Sequence, residues 1–227
     1  MAIEIKQLTL GMVNTNAYII GDTDTQEAVV IDPVDNAPVI QQTAERAGWT
    51  IKLVLATHAH FDHVLASKAL KEATNAPFYI HEESSEWLET LPQQGKLFGL
   101  GDFPEGAKPD RLLTSDPETI EIGAIKLETL YTPGHAPGHI SFFLRSENML
   151  FAGDTLFTGS IGRTDLPGGD YNLLMQSIFD KLLPLGDDVR VLPGHMSATT
   201  IGQERRTNPY LLGYDAQQKR NPDQATH

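Results

Sequence analysis

Cysteine is absent from the 227 residues, which excludes disulfides, thiolate zinc knots and cysteine nucleophiles together. Any metal ion must then be held by imidazole and carboxylate, a donor set that suits zinc, iron or manganese. Basic side chains are few, 17 against 30 acidic ones, giving a formal net charge of −13. Such a surface repels phosphate backbones and anionic lipid, so neither nucleic acid nor a membrane is expected as a partner. A small anionic substrate stays open, because a bound metal supplies local positive charge that overrides the distant field. No apolar run approaches the roughly 18 residues that span a bilayer. The opening MAIEIKQLTLGMVNT has no basic stretch followed by an apolar one. It does not read as a secretory signal, which makes the cytoplasm the expected location. Gly159-Ser160-Ile161-Gly162 lacks the GKS or GKT ending of a phosphate loop. Short-period repeats, low-complexity tracts and linkers are also missing, so one domain over residues 1–227 is expected, as a monomer or small homo-oligomer.

What is present reads as strands and helices in two similar halves. Residues 2–10 alternate apolar and polar; NAYIIGD (16–22) and EAVVID (27–32) are short strands. Helical spacing over 36–48 ends at Gly48, and IKLVLATH (51–58) is a continuous apolar strand of the kind buried on both faces. A helix over about 63–74, a strand at 78–80 and a helix from near Glu82 follow. Residues 91–110, with four glycines and three prolines, read as a loop that could cover a site. In the second half, 118–133 is a hairpin turning at Gly123, and 140–145 pairs with 149–154. A helix over about 171–183, the strand VRVLP (189–193) and a helix from near Thr200, interrupted at Pro209, complete the chain. Two successive sheets, each with helices outside it, predict an α/β sandwich.

The strongest chemical signal is Thr57-His58-Ala59-His60-Phe61-Asp62-His63, directly after a buried strand. Strand ends project into the clefts where open sheets bind ligands. His58 and His60, two apart in extended backbone, point to one side and can pinch an ion. Asp62 and His63, where the chain turns into a helix, can face a second. Three further candidates end strands: His135 in Tyr-Thr-Pro-Gly-His, Asp154 after MLFAG, and His195 after VRVLPG. Each alone is weak, since Asp after a strand is commonly a turn former. The recurrence of a strand followed by a ligand type, in the same chain as the histidine cluster, is the argument.

THAHFDH, TPGH, GDTLF and LPGH, in that order, resemble the metallo-β-lactamase superfamily over nearly the whole chain. The resemblance implies an α/β class fold, an αβ/βα four-layer sandwich of two mixed sheets flanked by helices, with two divalent metal ions at its rim. It assigns His58, His60 and His135 to the first metal, Asp62, His63 and His195 to the second, and Asp154 to a bridge between them. Zinc is the expected metal, with iron or manganese as alternatives. β-Lactamases of the superfamily that use a cysteine ligand are excluded, because Asp154 stands at that position. The diiron flavoproteins, which carry glutamate in the first motif, are disfavoured by His60. GDTLF, SIGRTDLPGGDY and TTIGQERRTNPYL are similar to the short glyoxalase II group, the hydroxyacylglutathione hydrolases. That group implies a small thioester substrate derived from glutathione, cleaved by a metal-bridging hydroxide, with Asp62 catalytic as the residue that orients it. Full-length glyoxalase II enzymes add a C-terminal helical domain with basic residues for the glutathione carboxylates, whereas about thirty residues follow His195 here.

Arg163 is the best placed cation for an anionic substrate, with an ion pair to Asp165 or Glu204 as the competing reading. Arg205 and Arg206 read as helix salt-bridge partners, His139 as a structural residue at a strand start, and His81 as a helix-start residue. The nearest rival function is an iron-dependent glutathione persulfide dioxygenase, which shares the fold and holds one iron at positions matching His58, His135 and Asp154. A lactonase is a third reading, since the same nucleophile attacks an oxygen ester.

Overall fold

A computed structural model describes residues 3–114 and 117–220; Ala2, the first residue of the strand expected over 2–10, lies outside them. The chain opens with strands β1 (Ile3–Leu10), β2 (Thr15–Asp22) and β3 (Glu27–Ile31), helix α1 (Ala37–Arg46) and strand β4 (Thr50–Leu55). Helices α2 (Phe61–Val64) and α3 (Ser67–Thr74), strand β5 (Phe78–His81), helices α4 (Glu82–Glu89) and α5 (Leu91–Leu97) and strand β6 (Arg111–Leu113) follow. The second half runs through β7 (Thr119–Ile122), β8 (Ile125–Tyr131), β9 (Ile140–Leu144), β10 (Met149–Gly153), β11 (Leu156–Phe157) and β12 (Ser160–Ile161). Helix α6 (Tyr171–Ser177), β13 (Arg190–Pro193), β14 (Thr199–Thr200), α7 (Ile201–Thr207) and α8 (Pro209–Arg220) close it.

One mixed sheet has the order β1-β2-β3-β4-β5-β6 and the other β14-β13-β10-β9-β8-β7. Alternation along the strands builds the layers, because successive side chains leave a strand on opposite faces. In β2, Tyr18 and Ile20 face the second sheet and join Val29, Leu53, Leu127 and Phe142 in the central core. Ala17 and Ile19, on the other face, pack with Ile40 and Leu70 of α1 and α3. Across the sandwich, Phe143, Leu150 and Val191 turn outward against Leu174 and Met175 of α6. The result is the four-layer αβ/βα sandwich. No helix among the described residues is long and apolar enough to cross a membrane.

Three local expectations are corrected. Residues 91–110 are not all loop: α5 occupies the first third, with Pro92 in its first turn, where a missing N–H costs nothing. The helix expected over 63–74 is two helices, α2 and α3, because the chain bends at Leu65–Ala66, where the Ala66 amide leaves the helix ladder and donates to the Pro33 carbonyl at 2.9 Å. The helix expected over 171–183 keeps α-helical form to Ser177 and then widens into a π-turn over Ile178–Leu182.

Candidate metal centre

The site lies where strands of both sheets end on one edge of the sandwich. β4 stops at Leu55, so Thr57 and His58 sit in irregular backbone beyond it. Asp32, at the end of β3 and at φ 56°, holds that segment: its two carboxylate oxygens accept the Thr57 amide at 2.7 Å and the Thr57 hydroxyl at 2.9 Å. The Ile140 amide donates to the Thr57 carbonyl at 2.8 Å and ties the segment to the second sheet. Gln94 of α5 closes the other side, accepting the Phe61 amide at 2.9 Å and donating to the Ala59 carbonyl at 3.0 Å.

The seven expected residues come together. His58 Nε2 lies 3.1 Å from His60 Nδ1, which is 2.9 Å from His135 Nε2. The outward nitrogens are engaged: His135 Nδ1 donates to the Arg163 carbonyl at 2.8 Å, and His58 Nδ1 meets the Thr57 hydroxyl at 3.0 Å. Such anchoring fixes the ring tautomer and aims the remaining nitrogen inward. The second group holds Asp62 Oδ2 at 3.5 Å from His63 Nε2 and 3.2 Å from His195 Nε2. Asp32 also takes the outward Nδ1 of His63, at 2.8 Å, and Thr15 donates its hydroxyl to Asp62 Oδ2 at 2.7 Å. Asp154 stands between the groups. Its Oδ1 is 3.3 Å from His63 Nε2, while Oδ2 is 3.5 Å from His135 Nε2 and 3.4 Å from His195 Nε2.

Two of these atoms, His63 Nε2 and Asp154 Oδ1, are buried with no hydrogen-bond partner. A buried polar atom left so costs about 1–3 kcal/mol, and two that face each other satisfy both requirements if a cation sits between the groups. The His58, His60, His135 triad, the His58, His63, Asp154 triad and the Asp62, His63, His195 triad each have ligand atoms within 4.8 Å of one another. The donor set therefore fits two divalent ions held by imidazole and carboxylate.

The electrostatics separate the two groups. Burial, reinforced by the neighbouring imidazoles, holds His58 well below the ordinary range and His60 down at about 3, so these rings are neutral donors of a lone pair. Burial also lowers His63, but the Asp154, Asp62 and Asp32 carboxylates outweigh it and lift it well above the ordinary range. His195 is raised to about 9: burial opposes, and the hydrogen bonds to Asp154 and Asp62 prevail. Burial would raise Asp62, yet the His63 charge and the His195 hydrogen bond bring it down to about 2. Burial would raise Asp154 too, but the His63 charge and the His195 hydrogen bond hold it well below the ordinary range. Both carboxylates thus stay ionised, as ligands must, and His63 and His195 would give up their protons as the ions bind.

Other expected residues have plainer roles. Arg163 lines the cavity over the site, but its guanidinium makes two 2.8 Å hydrogen bonds to Asp165. Glu204 is taken by the Gly159 amide and the Thr199 hydroxyl, and Arg205 pairs with Asp187. His139 accepts the Asp154 amide at 3.0 Å and positions that residue. His81 caps α4 by accepting the Glu83 amide. Asp32, Thr15 and Gln94 are absent from the expected set. For Asp32 the signal existed, an acidic residue closing an apolar strand as Asp154 does.

The matches to known proteins agree with this geometry. Residues 10–195 match the family described as the metallo-beta-lactamase superfamily. The chain is 42% identical over 197 residues to hydroxyacylglutathione hydrolase GloC of Haemophilus influenzae, covering 86% of this chain and 92% of that one. The crystal structure of BLEG-1 B3 metallo-beta-lactamase superposes with a TM-score of 0.85 at 42% identity, over 92% of this chain and 99% of that chain. That of TTHA1623 in a di-iron-bound form gives 0.82 at 36% identity, over 91% and 100%. By sequence and by fold, the chain is a metallo-hydrolase that belongs to the metallo-beta-lactamase superfamily.

Proposed function

We propose that the protein is a two-metal thioesterase that hydrolyses S-lactoylglutathione or a related glutathione-derived thioester. In this reading His58, His60 and His135 hold one divalent ion, Asp62, His63 and His195 the other, and Asp154 bridges them. Zinc is the proposed metal; iron and manganese suit the same donors, and a similar structure carries two irons. The observation that carries the metal assignment is the pair of orphaned buried atoms, His63 Nε2 and Asp154 Oδ1, facing each other between the triads. The thioester assignment draws on the likeness to the Haemophilus influenzae hydroxyacylglutathione hydrolase.

When bound, two such ions lower the pKa of water from about 15.7 toward about 7 and polarise a carbonyl. The side chains supply the rest. Asp62 stays ionised near neutral pH, and the Thr15 hydroxyl fixes its Oδ2. The carboxylate can therefore accept a hydrogen bond from the attacking water and aim its lone pair at the carbonyl carbon. Phe61, Phe98 and Leu166 line the approach with apolar surface. Arg163 contacts a substrate carboxylate in this reading only by giving up Asp165. A cytoplasmic location and a single domain complete the proposal.

The test is turnover by protein of measured metal content. S-lactoylglutathione is offered beside a lactone, nitrocefin (because of the likeness to a B3 metallo-beta-lactamase) and glutathione persulfide with oxygen uptake recorded. Thioester cleavage with two metals per chain supports the proposal. Oxygen consumption with one iron per chain replaces it with the persulfide dioxygenase reading, and turnover confined to the lactone or the β-lactam replaces the substrate class.

A further inference from the structure

Five of the seven side chains, His60, Asp62, His135, Asp154 and His195, form only the floor of a cavity of about 370 Å³. Its walls are apolar: Val13 from the turn between β1 and β2, Phe61, Phe98 and Leu100 after α5, and Leu166. Val13, Phe98 and Leu100 are 44%, 38% and 43% exposed. Large apolar groups gathered at a mouth in this way mark a binding surface more often than isolated exposed ones do. The wall is braced rather than loose. Phe61 stacks on Phe103 at 5.0 Å between ring centroids and packs against Phe98 at 5.4 Å. Gly99 and Gly101 both take positive φ, 70° and 91°, and let the backbone turn sharply on either side of Leu100.

Charge is as informative as the apolar surface. Arg163 is the one arginine or lysine among the described residues lining this cavity, and Asp165 neutralises it with two hydrogen bonds; His195, on the floor, is taken by Asp62 and Asp154. Glutathione carries two carboxylates and an ammonium group, and firm recognition of a carboxylate calls for an available guanidinium or ammonium. This lining offers none. A thioester carbonyl placed over the polar floor sends one substituent along the wall and the other to solvent. A charged thiol carrier is the one that keeps its water, and the acyl group is the one the wall can desolvate.

We propose that the protein selects its substrate by the acyl group, and that its substrate class is thioesters of apolar acyl chains or rings, gripped by Val13, Phe98, Leu100 and Leu166 with the thiol portion facing solvent. The inference rests on the thioesterase reading above and moves its preferred substrate from S-lactoylglutathione to related thioesters with longer, apolar acyl groups. The reaction balances as hydrolysis: the water oxygen bonds to the carbonyl carbon, and the C–S bond breaks with its electron pair going to sulfur. The products are a carboxylate, a thiol and one proton released to solvent.

Two measurements test it. The first is binding of S-methyl-, S-butyl- and S-hexylglutathione, thioethers that cannot be hydrolysed, followed by calorimetry on metal-loaded protein. Affinity should rise about fourfold per methylene buried, and the rise should flatten in the Phe98→Ser/Leu100→Ser variant. Exchanging glutathione for uncharged N-acetylcysteamine in the S-butyl ligand should change Kd by less than about threefold, on the order of a single weak polar contact. The second is kcat/KM for acetyl-, butyryl- and hexanoylglutathione, which should climb with the same slope. Affinity independent of chain length in the unsubstituted protein, or binding lost with the uncharged carrier, overturns the proposal. Chain-dependent binding without turnover of any thioester upholds the apolar subsite and overturns the hydrolase reading instead.

Discussion

Tyr18, on the second strand of the first sheet, donates its phenol to the Pro193 carbonyl at 2.7 Å, two residues before His195. Asn16 on the same strand donates its side-chain amide to the carbonyls of Pro193 and Met196, at 3.0 and 2.9 Å, and its backbone amide to Gly194 at 2.7 Å. One sheet therefore grips the turn that carries a candidate ligand of the other. Within that turn Met196 sits at φ 67°, a conformation that costs an L-residue about 1–2 kcal/mol and persists because its carbonyl is held.

Removal of that grip should act on the metal centre from outside it. Asn16→Ala leaves the Met196 carbonyl short of a donor, while Pro193 keeps the Tyr18 phenol, and a fall of about 1–3 kcal/mol in stability is expected. Metal content should drop selectively at the Asp62, His63, His195 group, so that titration with zinc shows one tight and one weakened site. Two sites of unchanged affinity in a destabilised protein would leave Asn16 a purely structural residue.

Asp154→Asn keeps the shape of the side chain and halves its capacity to bridge. Because one oxygen faces His63 and the other faces His135 and His195, both metals should weaken together. Turnover should fall by more than about 100-fold, beyond the range seen for residues that touch only the ligands. Atomic absorption on dialysed protein, with a chelator titration alongside, measures it. Full metal content with undiminished rate would remove Asp154 from the centre.

Much of the site was legible because its ligand types follow strands whose apolar character is plain in the sequence. THAHFDH after IKLVLA, and Asp154 and His195 after their own strands, needed only the rule that strand ends open onto clefts. Asp32 obeys the same rule, yet its partners Thr57 and His63 lie 25 and 31 residues away, and an acid after a strand ordinarily just turns the chain. Thr15, Asn16 and Tyr18 were opaque for a different reason. NAYIIGD reads as a short strand, and nothing local says that its polar residues reach across to a turn 175 residues on. Helix α5 was hidden by Pro92 and Gly95, breakers in a helix interior that a seven-residue segment tolerates at its start and where the Gly101 carbonyl and the Phe103 ring pack closely against it. Strand β6 has three residues, too few for any period to show.

Gly194 tests how tightly the turn is packed against the centre. A Cβ there would meet Asp154 Oδ1 first and His63 Cε1 at 2.7 Å. Gly194→Ala should displace the carboxylate from its place between the triads, at about 1–3 kcal/mol of overpacking. Activity should fall much further than stability, because Asp154, the proposed bridge, moves while the sandwich core is untouched. Comparing melting temperature with metal stoichiometry separates the two effects. A variant with both metals and near-native rate would mean the turn can yield, and that His195 is not held where the hydrogen bonds place it.

At the opposite edge of the sandwich Asp22 joins the sheets, and here the pH dependence can be worked out. Its carboxylate accepts the Ala124 amide, from the turn between β7 and β8, at 2.9 Å, and the Asp24 amide at 2.9 Å. The Ala124 bond is the main reason the group is held below its ordinary value; burial opposes it and the Asp24 and Thr25 bonds add to it. A carboxyl whose folded pKa is depressed stabilises the fold above its unfolded pKa of about 3.9, and that contribution disappears as pH falls through the lower folded value. Asp22→Asn should therefore lower the melting temperature by a constant amount at pH 7 and pH 5, with the gap closing below about pH 4. Thermal melts of both proteins across that range decide it. A gap that stays the same at acid pH would mean that the charge of Asp22 contributes nothing, and that the hydrogen bonds to the hairpin are equally good with a neutral acceptor.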